Sequence, residues 1–182
     1  EPEGASGMRV AQSAGQLVIL PLMAVNMVIQ PKLATQAMTA KDREALMQTY
    51  AHGGRMALAG SLIVGLPMIV FAEHLVRLAF GEAYVALSVG AIRVMTLAQI
   101  LNASAGSSGI LLAMSGNERH TMKAQIFSLI LMLGIAFSLA PSAGAVGVAI
   151  GISAGLTFKN LLQVMYLRRV YGRWMSAFMR VK

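Results

Sequence analysis

The residues able to do chemistry here are few, and most are neutral amides or cations in apolar surroundings. Over residues 6–30, Arg9, Gln12, Ser13, Gln16, Asn26 and Gln30 recur at helical spacing. Counted at 100° per residue from Arg9, they fall near 0°, 300°, 40°, 340°, 260° and 300°, one face about 140° wide. Hydrocarbon does not solvate such a stripe, so it must meet protein or water. Two uses follow: hydrogen bonds between helices, each worth about 1 kcal/mol, or the wall of a polar cavity. A second set lies over residues 83–114. Gln99, Asn102, Gly106 and Gly109 are spaced for one face, and Arg93 falls nearly opposite with Thr96, Ser104 and Ser107. An unpaired arginine in hydrocarbon costs at least about 2.5 kcal/mol. Arg93 therefore either pairs with Glu73 or Glu82, or faces an aqueous lumen where it attracts an anion.

Other chemistry is missing from the pattern. The chain has no cysteine, which removes disulfides, thiolate metal sites and cysteine nucleophiles. His52, His74 and His120 lie in separate connections without ligand spacing, so no metal or cofactor is expected. The acidic residues sit near the ends of apolar segments, which leaves no intramembrane carboxylate for a proton relay. No paired acids or nucleophile–base pair points to an enzyme. The net charge of +8 comes from 15 Lys+Arg against 7 Asp+Glu. It lacks the aromatic–basic interleaving of a nucleic-acid binder, and basic loops of a membrane protein account for it.

The elements that must position these side chains are long apolar helices. Hydrophobic residues make up 57% and charged residues 12%, against about 25% charged in soluble domains; the mean hydropathy is +0.67. The expected fold is all-α, a polytopic transmembrane bundle of about five spans, over residues 6–30, 55–72, 83–114, 118–139 and 143–170. An amphipathic interfacial helix over 42–54 precedes the second span, with Asp42 as its cap. A basic tail covers 171–182. Pro31 is expected to end the first helix, and Pro141 to Gly144 to form the tight turn between the last two spans. Pro21 and Pro67 fall inside spans, where they kink or hinge them. Gly147, Gly151 and Gly155, at four-residue steps, let another helix approach closely. Lys32, Lys41, Arg43, Arg55, Arg119, Lys123 and the tail cations place two loops and the C-terminus on the cytoplasmic side.

Several motifs occur in one order. Leu78-Ala79-Phe80-Gly81-Glu82-Ala83-Tyr84 reads L-x-F-G-x-x-Y. Ile92-Arg93-Val94-Met95 through Gln99 to Asn102 is similar to L-R-I-L-x-x-x-Q-x-x-N. Gly109 to Glu118 reads G-x-L-L-x-M-x-G-x-E, and Pro141 to Ile150 is similar to P-x-x-G-x-x-G-A-A-I-A. Asn26 to Pro31 reads N-x-x-x-x-P, and Gly7 to Ala11 carries Met8 where a tyrosine is usual. Together these resemble the O-antigen and exopolysaccharide lipid-carrier flippases of the multidrug/oligosaccharidyl-lipid/polysaccharide exporter superfamily, over nearly the whole chain.

The resemblance implies the C-terminal half of a two-lobe, alternating-access transporter in the bacterial inner membrane. Its cargo would be an undecaprenyl-diphosphate-linked oligosaccharide for surface polysaccharide synthesis. Its partners would be membrane lipids, a missing N-terminal lobe that completes the cavity, and polysaccharide polymerase machinery. The chain begins at Glu1 rather than Met, as expected of a trimmed or partial chain. Arg9 and Arg93 would attract the diphosphate; Gln12, Gln16, Asn26, Gln99 and Asn102 would bond sugar hydroxyls. The alternatives are a drug or metabolite exporter of the same superfamily, or a non-transporting membrane subunit.

Overall fold

The computed structural model describes residues 2–39 and 43–179, and every regular element among them is helical. Asp42, the expected helix cap, and Lys41 lie outside the described residues. In chain order the helices are α1 (Pro2–Thr39), α2 (Arg43–Val70), α3 (Ala72–Phe80), a single 3₁₀ turn (Glu82–Tyr84), α4 (Val85–Ala105), α5 (Ser108–Met114) and α6 (Glu118–Tyr171). Four helices, those containing Ser6–Ala37, Arg43–Val70, Glu82–Ala105 and Glu118–Tyr171, are long and apolar enough to cross a membrane. Their outer surfaces expose Met27, Ile63, Leu66 and Phe137. An apolar surface of that extent suits lipid and not water.

The first helix does not end at Pro31; it continues for two further turns to Thr39. Leaving the helix among apolar neighbours would orphan several backbone groups, whereas a proline removes one donor. The Thr35 hydroxyl donates to the Pro31 carbonyl at 3.0 Å. Pro21 is accommodated by its neighbour. A Cβ at Gly60 on α2 would stand 2.6 Å from the Pro21 ring, so only glycine lets the two helices meet there. α1 and α2 run antiparallel, with Ser61 Oγ donating to the Val18 carbonyl and Gly53 seated under Ile29.

Residues 83–114 do not form one helix. The backbone breaks at Gly106, whose φ of +66° lies in the left-handed region, and α5 restarts at Ser108. Breaking a helix strands its last carbonyls, and the last three are taken up. Gly106 N–H donates to Ala103 O, Ala177 N–H to Ser104 O at 3.0 Å, and the buried Tyr50 hydroxyl to Ala105 O at 2.5 Å.

α6 folds back on itself at Gly144 (φ 52°, ψ −131°), so residues 118–143 and 145–171 form a helical hairpin. Gly147 faces Leu139, Gly151 faces Ala136 and Gly155 faces Met132. The glycine ladder thus packs within the hairpin, against its own preceding helix. The second half of α6 packs on α4, which also contacts α1 and α2.

Two apolar clusters mark the poles of this bundle. One gathers Val10, Ala11, Ala72, Val76, Ile92, Met95 and Ala149. The other gathers Ile29, Leu33, Leu46, Tyr50, Leu111, Leu167, Met175 and Met179. Lys32, Arg43, Arg55, Arg168, Arg169 and Arg173 surround the second pole. Around the first, Arg77 and Arg93 are matched by Glu82 and Glu73.

Candidate functional site

The polar face of α1 points out of the bundle. Val10, Ala11, Val18, Leu22, Ile29 and Leu33 form the buried side of the helix, while Arg9, Gln12, Ser13, Gln16 and Gln30 are all exposed. The polar run from Arg9 to Gln16 is about 10 Å long at 1.5 Å per residue; Gln30 lies further along the helix, and between them the exposed residues on this side are Leu20, Met23 and Met27. Among the described residues no side chain hydrogen-bonds the Arg9 guanidinium or the Gln12, Gln16 and Gln30 amides. These groups are therefore offered to something outside the bundle.

The remaining amides turn inward and are mated. Asn102 Nδ2 donates to Gln99 Oε1 at 3.1 Å, and Asn160 Nδ2 donates to Asn102 Oδ1 at 2.9 Å. Asn102 and Asn160 are buried. Asn26 accepts a short hydrogen bond from the Ser107 hydroxyl, and Ser108 Oγ donates to Gln163 Oε1 at 3.0 Å. This cluster surrounds the α4–α5 break, where the helix turn frees Ser107 and Ser108 to reach across to α1 and α6. A buried amide gains when each group finds a partner, and here the cluster ties four helices together, α1, α4, α5 and α6.

Arg93 stands apart from both groups. Its Nε donates to the Ile69 carbonyl at 3.2 Å, and its Nη2 lies 3.7 Å from Glu73 Oε1. Of the two carboxylates open to it, Glu73 is the one it meets; Glu82 pairs with Arg77 at 2.5 Å. The seven residues singled out from the sequence thus fall into three places: Arg9, Gln12 and Gln16 on the outward face, Asn26, Gln99 and Asn102 at the helix break, and Arg93 between α2 and α4. Asn160 and Gln163 complete the inner cluster and were not singled out. Their i, i+3 spacing in the last apolar segment was the available signal.

The tail is also built in. Arg55 Nε donates to Ala177 O at 3.1 Å and its Nη2 to Met179 O at 2.7 Å. Met175, Ala177 and Met179 are buried under the helix break. Arg168 stacks its guanidinium 4.5 Å from the centre of the Trp174 ring. Among the described residues no group of three or more His, Cys, Asp or Glu side chains gathers to hold a metal. No protein-family profile, curated protein or solved structure matches this chain.

Proposed function

We propose that the chain is one lobe of an alternating-access carrier that moves a lipid-linked, diphosphate-bearing oligosaccharide across a bacterial inner membrane. The observation that carries this reading is the outward polar stripe of α1. Arg9, Gln12 and Gln16, exposed over two turns of a helix that is otherwise apolar enough to cross a membrane, need a wet surface or a second lobe against them. A glycan offers hydroxyls for Gln12, Gln16 and Gln30, and a diphosphate offers charge for Arg9. The lipid tail stays in the bilayer. Counting the α6 hairpin as two crossings gives five, which puts the termini on opposite faces. The basic pole, with the C-terminal tail, then faces the cytoplasm.

The mated cluster of Asn102, Gln99 and Asn160 favours a second reading. A static membrane subunit would bury its amides in this way, and its α1 stripe would receive a fixed partner helix. The test is translocation. The full-length protein is reconstituted into vesicles with a fluorescent undecaprenyl-diphosphate oligosaccharide, and its passage between leaflets is followed by lectin capture. The carrier reading requires flux that falls in Arg9→Ala and Gln16→Ala. Flux no greater than in protein-free vesicles overturns it.

A further inference from the structure

Between α1 and α2, at the basic pole, lies an open cavity of about 490 Å³ lined by Ile29, Lys32, Gln48, Thr49, Ala51, His52 and Arg55. Its chemistry is one-sided. Lys32 and Arg55 are cations, and His52, Gln48 and Thr49 can donate hydrogen bonds. Among the described residues no carboxylate lines it; Glu44 sits one turn before Gln48, outside the lining. Ile29 and Ala51 give it an apolar back wall. Arg55 is held from behind, since two of its nitrogens are bound to the tail carbonyls of Ala177 and Met179. Its guanidinium is fixed at the cavity rim before any ligand arrives.

The helix face that carries the cavity continues in an apolar track. On α2, residues 48, 52, 55, 59, 63 and 66 fall within about 80° of one another at 100° per residue. Beyond Arg55 this face exposes Ala59, Ile63 and Leu66. A cationic recess between two apolar helices, continuous with the exposed apolar face of α2, matches an amphiphile with an anionic head and a hydrocarbon tail. Basic pockets between membrane helices on the cytoplasmic side recognise acidic lipid heads in this manner.

We infer that this recess is a binding site for the phosphate headgroup of an acidic phospholipid, with Lys32, His52 and Arg55 around the phosphate and one acyl chain along Ile63 and Leu66. The site is separate from the α1 stripe and does not require carrier activity. Because Arg55 holds both the recess and the C-terminal segment, a bound headgroup also steadies the tail.

The test is native mass spectrometry of the full-length protein in detergent, titrated with phosphatidylglycerol, phosphatidylcholine or inorganic phosphate. Phosphatidylglycerol is expected to bind more tightly than phosphatidylcholine. Lys32→Ala should lose about fivefold in that affinity, the worth of one cation at a membrane surface, and His52→Ala should weaken it as well. Arg168→Ala, a cation outside the recess, should leave it unchanged. As a check independent of those variants, a thiol placed by Gln48→Cys should be shielded from alkylation by phosphatidylglycerol and not by phosphatidylcholine. Equal binding of the two lipids, or equal loss in Arg168→Ala and Lys32→Ala, overturns the assignment. So does displacement of phosphatidylglycerol by millimolar inorganic phosphate, which would make this a free-phosphate site. Displacement by the lipid-linked oligosaccharide would give the recess to the cargo and equally overturn it.

Discussion

Gly151→Ala should loosen the α6 hairpin. A Cβ built at Gly151 would stand 2.7 Å from the Ala136 nitrogen and Cβ and 2.8 Å from its Cα, where ordinary contacts begin at 3.4 Å. The obstacle includes backbone, so no side chain can swing away, and the two helices must part by about 0.6–0.7 Å. That shift is shared along a rail. Gly147 against Leu139 and Gly155 against Met132 open together with Gly151. Overpacking of this kind costs about 1–3 kcal/mol, and alanine's better helix propensity returns about 0.5–1 kcal/mol. A net loss of about 1–2 kcal/mol is expected. Gly134→Ala supplies the matched control, because a Cβ at Gly134 meets nothing within 4 Å. It should be neutral or stabilising through propensity alone. The assay is equilibrium unfolding of the full-length protein in mixed micelles of mild and denaturing detergent. If Gly151→Ala proves as stable as Gly134→Ala, the close approach of the two helices is wrong.

Other perturbations probe other parts. Asn102→Ala and Asn160→Ala should each destabilise, and a double-mutant cycle in the same micelles should return a coupling of about 0.6–1.7 kcal/mol; no coupling would deny their hydrogen bond. Arg55→Ala should speed tryptic cleavage near Arg168 and Arg173, because the tail loses both guanidinium contacts. Arg55→Lys should be intermediate, since an ammonium does not reproduce the forked geometry. Gly106→Ala forces a Cβ into a backbone conformation (φ 66°, ψ −153°) that essentially only glycine adopts and should cost about 1–3 kcal/mol in the same unfolding assay.

The helical architecture was legible because its signal is repetition: runs of apolar residues as long as a bilayer is thick leave little choice of element. The Gly144 turn was legible for a similar reason, as Pro141 to Gly144 interrupts such a run. Pro31 misled, because the cost of one missing donor was weighed without the larger cost of unwinding beside apolar neighbours. Gly106 misled in the other direction. It was read as a small residue on a continuous helix face, and the break depends on what waits to satisfy the freed carbonyls. Those groups are the Tyr50 hydroxyl and the Ala177 amide, 55 and about 70 residues away in sequence, and no local pattern announces them. Periodicity placed Arg9, Gln12 and Gln16 on one face correctly, since that is a property of a single helix. It was silent on which amides find partners. Asn102 meets Asn160 across 58 residues, while Gln16 meets none among the described residues, and only the packing of whole helices separates the two cases.

The direct measurement is the reactivity of a thiol at Gln16. The chain has no cysteine, so Gln16→Cys in the full-length protein, with any cysteines elsewhere removed, gives one signal against a membrane-impermeant maleimide in intact membranes. Phe137→Cys, also exposed but on the apolar outer face, reports exposure to lipid. A water-lined carrier wall predicts fast modification at Gln16 that cargo slows, with Phe137→Cys unreactive. Resistance at both positions alike would contradict it, because the α1 stripe would then lie dry against lipid or a fixed partner.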